Sequence, residues 1–217
     1  MIFTSDNGPW TVKGPDGGSA GPLRGAKGST WEGGVRVPTV AWWPGRVQAG
    51  RECAAMAGTI DLLPTVVALA GGTVPAEPVI DGRDISGLLL GTATESPREA
   101  HAYFRGDALE AVRAGRWKLA IAPQVESMGS KTMEPATIDR PRLYDLEADL
   151  GERTDVASRH PEVVARLAEV ALRIERELCG PKAPGRRPAG TVAEAVFLYP
   201  VAAAGPAGRG RAPAPAP

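Results

Sequence analysis

The stretch Ser5-Asp6-Asn7-Gly8-Pro9 sets two oxygen-bearing side chains, Asp6 and Asn7, side by side where an apolar-leaning run has to end. Neighbouring side chains of a strand point to opposite faces, so two neighbours converge on one ion only where the strand stops. Gly8-Pro9 supplies that stop, and strand ends in open α/β sheets are where ligands bind. A carboxylate beside an amide carbonyl is a pair of hard oxygen donors, suited to Ca²⁺ or Mg²⁺ rather than Zn²⁺. Taken alone, the same residues read more readily as a type I′ turn, for which Asn-Gly is the favoured pair. A second candidate is LRGAKGSTWEGGVRVP (23–38). Its glycines let backbone approach a ligand, and Lys27 is a point charge suited to a tetrahedral oxyanion; a solvated loop lysine is the alternative. The Walker pattern is not met, because Lys27 follows Ala26 and precedes Gly28.

Other polar residues offer less. Glu32-Gly33-Gly34 reads as turn chemistry, with Glu32 or Arg36 in structural ion pairs. Arg24 and Arg105 either line a cleft or are surface charges. His101 falls at the start of a strand and His160 flanks a helix start, so neither reads as a metal ligand, and two histidines do not make a zinc site of several His. Ser5 lacks the G-x-S-x-G elbow of a hydrolase.

The elements that must position these residues follow from the apolar pattern. Met1–Ser5 reads as a short buried strand. A glycine-rich loop runs from Trp10 to Gly34, and Val35–Trp43 reads as a strand closed by Pro44-Gly45. TIDLLPTVVALAGG (59–72) reads as a helix capped by Asp61, with Pro64 in its first turn and Gly71 as its stop. Its core face is expected to be Leu62, Leu63, Val66, Val67 and Ala70. HAYF (101–104), ALEAVRAG (108–115), RWKLAIA (116–122) and RLYDL (142–146) alternate as strands of a small antiparallel sheet, with Ala114-Gly115 in a hairpin. Pro161–Leu178 is an amphipathic helix with Val163, Val164, Leu167, Val170, Ala171, Ile174 and Leu178 on one stripe. From Gly180 the chain turns to Pro, Gly, Ala and Arg and is expected to be mostly disordered, apart from an apolar island, EAVFLYPVA (194–202). Only one other core strand accompanies Met1–Ser5 in the first hundred residues, so the chain reads as the later part of a larger α/β domain.

Bulk composition sets wide bounds. The chain has 217 residues, 43% of them hydrophobic, with 25 basic against 25 acidic residues. Balanced charge gives no argument for nucleic acid or an anionic membrane. Cys53 and Cys179 form neither a disulfide framework nor a CxxC motif; whether they pair is open. No segment is apolar enough to span a bilayer, and no signal peptide is visible.

Five motifs, FTSDNGP, LRGAKGSTWEGGVRVPTVAWWPGRV, IDLLPTVVALAG, IDGRDISGLLLG and RLYDLEADLGERTDV, closely resemble the sulfatase family in order and spacing. The resemblance covers Ile2 to Leu178 and points to the arylsulfatase A and N-acetylgalactosamine-6-sulfatase branch. It implies an alkaline-phosphatase-like α/β fold with a small antiparallel-sheet and helix subdomain. The expected division is 1–100 for the end of the catalytic α/β domain, 101–179 for the subdomain and 180–217 for the tail. It implies hydrolysis of sulfate esters of sugars or aryl groups with bound Ca²⁺ and a formylglycine made from a C/S-x-P-x-R motif. By matching residues, Asp6 and Asn7 are implied as metal ligands, Lys27 as the lysine on the substrate sulfate, and Asp145 as structural. Members are commonly periplasmic, secreted or lysosomal, and the compartment of this chain stays open, as does its oligomeric state.

The departures are as informative. No paired Asp-Asp and no C/S-x-P-x-R stretch occur; Cys53 is followed by AAMA, and Cys179 has Ala183 where the arginine would stand. Two of four metal ligands and no nucleophile imply a chain that is inactive alone. It is expected to be the C-terminal portion of a sulfatase, with Met1 an internal or mis-assigned start. Two alternatives stay open: a non-catalytic anion-binding or interaction remnant, and a phosphatase or phosphodiesterase of the same superfold, which would need Zn²⁺ and histidine.

Overall fold

A computed structural model describes residues 1–77, 79–129 and 138–178. The expected tail, its apolar island and Cys179 lie outside them. β1 (Ile2–Thr4) pairs antiparallel with β2 (Thr39–Ala41), Phe3 opposite Val40. Between them lie a 3-10 segment (Thr11–Gly17) and one helical turn, α1 (Glu32–Val35). The second strand is therefore shorter than the expected Val35–Trp43. Residues 32–35 are helical, the Arg36 N–H closes on the Glu32 carbonyl at 2.7 Å, and pairing starts only after Pro38. The expectation that the first strand is buried is also corrected: Phe3 is 71% and Val40 59% exposed.

A 3-10 turn (Thr59–Asp61) leads into α2 (Leu62–Leu69), and α3 (Ser86–Leu90) follows. Asp61 precedes the helix as expected, but its carboxylate does not cap the helix itself. It accepts the Gly58 N–H at 2.8 Å and the Arg83 N–H at 2.7 Å, and it pairs with Arg98. Thr65 Oγ1 donates to the Asp61 carbonyl and accepts the Ile85 N–H. α2 is thus anchored by buried polar groups. Its buried residues are Pro64 and Thr65, while Leu63 and Val66, expected in the core, stay exposed. The apolar side of α2 borders an open groove that Trp42, Trp43 and Leu89 also line.

The alternating runs form the expected antiparallel sheet, β3 (His101–Arg105), β4 (Ala108–Ala114), β5 (Trp117–Ala120) and β6 (Arg142–Asp145), in that order. Gly115, with φ of 57°, opens the two-residue loop between β4 and β5, where Ala114 pairs Trp117. One face carries the cross-strand row Ala102, Val112, Leu119, Leu143. α4 (Pro161–Leu178) covers that face with Val163, Leu167 and Ala171, making the main core. Burying a Leu such as Leu167 completely contributes about 1.5–3 kcal/mol. The opposite face carries His101, Arg113, Lys118 and Tyr144 in one row. That face is not solvated: Trp31, with no exposed surface, lies on it beside Ala120, Tyr144 and Leu146.

Candidate functional site

β1 ends at Thr4, and the chain bends through residues 6–8. The Ser5 hydroxyl donates to the Asn7 carbonyl at 2.9 Å and closes the bend. Neither Asn7 nor Gly8 has a positive φ, so the type I′ turn, which needs two such residues, is not formed. The bend is held instead by α1: the Gly8 N–H donates to the Gly34 carbonyl at 2.9 Å. Only glycine allows this approach, since a Cβ on Gly8 would sit 1.9 Å from the Gly33 carbonyl oxygen. The Lys27 N–H then donates to the Pro9 carbonyl at 3.0 Å. The two sequence candidates thus lie on loops stitched side by side. Asp6 is exposed, and Asn7 and Lys27 are half-buried. The Lys27 ammonium lies 5.2 Å from the centroid of the Trp10 indole. Among the described residues no group of three or more His, Cys, Asp or Glu stands ready for a metal.

What fixes these loops is a buried charge cluster under α1. Glu32 accepts from Tyr103 Oη at 2.7 Å and pairs with Arg113 at 2.8 Å and Lys118 at 3.2 Å. Lys118, fully buried in β5, also pairs with Glu152 at 2.8 Å and donates to the Thr30 carbonyl at 2.7 Å. Glu152 accepts the Glu32 N–H at 2.7 Å, and its φ of 49° makes it the non-glycine residue with left-handed backbone among those described. A bulge in β4 leaves Glu110 unopposed between the Tyr103–Ala111 and Phe104–Leu109 pairs, which turns its carboxylate to accept from Thr30 Oγ1 at 2.7 Å. Burial pushes the Glu32 carboxyl up, but the cations of Lys118 and Arg113 and the Tyr103 hydrogen bond outweigh it and hold the group below its ordinary value. Burial wins at Glu152, which is raised despite Lys118. Tyr103 is raised well above its ordinary value by burial and by Glu32.

The remaining candidates are held in local pairs and ring contacts. Arg24 pairs with Glu126 at 2.5 Å and stacks on Trp31 at 3.6 Å; Arg105 pairs with Glu110 at 2.5 Å. Asp145 accepts Arg116 Nε at 2.7 Å, which holds its carboxyl below the ordinary range. His101 packs edge-on against Tyr103 and its pKa is lowered by burial; His160 stands against Trp117. Cys53 is exposed and free. Lys118, Glu152, Arg113 and Tyr103 were not singled out from sequence. Strand pairing puts Lys118 and Arg113 on one face of the sheet, and only the cover supplied by Trp31 makes that face an interior.

Two family models match the chain: Sulfatase over residues 1–72 and the C-terminal region of aryl-sulfatase over residues 96–184. Arylsulfatase A of Homo sapiens is 40% identical over 79% of this chain and 37% of its own length. N-acetylgalactosamine-6-sulfatase of Canis lupus familiaris is 44% identical over 82% of this chain and 38% of its own. Among solved structures, the PsFucS1 sulfatase from Pseudoalteromonas sp. superposes with a TM-score of 0.72 at 28% identity, covering 80% of this chain and 36% of that one. The chain therefore spans well under half the length of the relatives it matches.

Proposed function

The chain belongs to the sulfatase family, and we propose that it carries one wall of a sulfate-ester hydrolase site, with Asp6 and Asn7 as ligands of Ca²⁺ and Lys27 on the sulfate. The observation that supports this is the pair of backbone bonds, Gly8 to Gly34 and Lys27 to Pro9, that sets the two loops against each other. The donors fit a hard cation in kind, one carboxylate and one amide oxygen. They do not fill its shell, since Ca²⁺ takes about six to eight oxygens, so these residues are part of a ligand set. A cation bound there supplies Lewis-acid polarisation of the sulfate oxygens.

The chain's own contribution is positional and electrostatic. Lys27 offers positive charge to the anionic sulfate group, while the electron pair of the breaking ester S–O bond goes to the leaving oxygen. α1 holds the bend and the lysine loop together, so their separation is set before substrate arrives. The chain holds no C/S-x-P-x-R stretch, so the formylglycine nucleophile is not among its residues. Sulfated sugars and aryl sulfates are the substrate classes of this reading.

Calorimetric titration of the purified chain with CaCl₂ tests it. Binding of about millimolar strength is expected, lost in Asp6→Ala; an isotherm unchanged by that substitution overturns the ligand assignment. The same chain with p-nitrophenyl sulfate and Ca²⁺ is expected to release no p-nitrophenol above buffer, and clear release would overturn the absence of a nucleophile.

A further inference from the structure

Trp10 follows the Asp6–Asn7 bend directly and is 41% exposed. Two ammonium groups gather on its indole: Lys13 Nζ at 5.0 Å and Lys27 Nζ at 5.2 Å from the centroid. The two nitrogens are therefore within roughly 10 Å of each other. Among the described residues neither has an acidic partner, and Asp16, three positions from Lys13, forms no ion pair with it. The π face offsets part of the repulsion between the two cations but leaves their charge unneutralised. Their placement is built into the backbone. The Trp10 N–H donates to the Gly17 carbonyl at 2.8 Å, the Lys13 N–H to the Trp10 carbonyl at 2.9 Å, and the Lys27 N–H to the Pro9 carbonyl at 3.0 Å. Gly17 closes this loop so tightly that a Cβ there would lie 2.1 Å from the Trp10 carbonyl oxygen.

We propose that Trp10 and Lys13 form a second, anion-reading subsite beside Lys27. The indole offers a face to a sugar ring, Lys27 faces the sulfate whose ester is cleaved, and Lys13 pairs with a second sulfate or carboxylate on the same saccharide. The ligand class is a saccharide carrying at least two anionic groups. A simple aryl sulfate, with one charge, uses Lys27 alone. This inference rests on the reading of Lys27 given above and adds the selectivity between mono- and dianionic sugars.

The test is calorimetric titration of the chain with glucosamine-2-N,6-O-disulfate and with N-acetylglucosamine 6-O-sulfate, which carries one negative charge and no free amine. Wild type is expected to prefer the disulfate by about fivefold, the scale of one exposed ion pair, and to lose that preference in high salt. Lys13→Met should bring the two sugars within about twofold by weakening the disulfate only. Trp10→Ala should weaken both sugars and spare inorganic sulfate. Each of these side chains is partly or fully exposed, so circular dichroism is expected to show unchanged folding. A preference that survives Lys13→Met, or a wild-type chain that binds neither sugar, overturns the subsite. Lys27→Met separates the two claims: if it leaves N-acetylglucosamine 6-O-sulfate binding intact, the reading of Lys27 falls.

Discussion

Lys118 and Glu32 form an ion pair with almost no exposed surface, joined by Glu152 and Arg113 so that two cations face two carboxylates. Removing one partner of such a cluster leaves a buried charge uncompensated. Lys118→Met is expected to cost about 3–5 kcal/mol at neutral pH, read from urea unfolding. The pH dependence carries a sign that identifies the cause. In the wild type the Glu32 carboxyl is held below its ordinary value of 4.5, so its contribution is present above that pH and lost as pH falls through the folded value. Glu152 is raised and acts oppositely: its cost is present at higher pH and relieved as it takes up a proton. Loss of Lys118 moves both carboxyls upward from their wild-type positions, so the gap between variant and wild type should narrow on acidification. A gap constant with pH would place the role of Lys118 in packing alone.

At the scale of elements, one helical turn decides whether the site loops meet. α1 is pinned from below by β3, β4 and β5 through Glu32, and from above it holds Gly8. Gly8→Ala would drive its Cβ into the Gly33 carbonyl, and the expected result is separation of the bend from α1. Hydrogen exchange at the Gly8 and Lys27 amides should accelerate, while the β4 and β5 amides keep their protection; unchanged exchange at Lys27 would show that the loops do not depend on this contact. The elements differ in how far sequence reveals them. The strands around Gly115 and the stripe of α4 were legible because alternation and 3–4 spacing are local patterns. The helical form of Glu32–Val35 was not, since two consecutive glycines read as a turn. The α1 geometry comes from Glu152 and Lys118, distant in the chain. The residue types at Asp6, Asn7 and Lys27 were legible and the family resemblance put them in one site, but the backbone bonds that set their loops side by side carry no side-chain signature and were not.

At the scale of the molecule, two sheets of different character share the WEGG segment. The four-stranded sheet is covered on both faces, by α4 and by Trp31. The β1–β2 pair and the outer side of α2 keep Phe3, Val40, Trp42 and Val66 exposed. Their apolar character led the sequence reading to a buried strand and a buried helix face, and hydropathy alone does not say what covers a surface. The covered sheet carries α1 through Glu32, and α1 in turn holds the Asp6–Asn7 bend. The most direct test of this account is a crystal structure of the chain grown with CaCl₂ and sulfate. The account predicts one cation with the Asp6 carboxylate and the Asn7 side-chain oxygen at about 2.3–2.6 Å and a sulfate within hydrogen-bond distance of Lys27 Nζ. A cation bound elsewhere, with Asp6 and Asn7 turned apart and Lys27 free of sulfate, would contradict it.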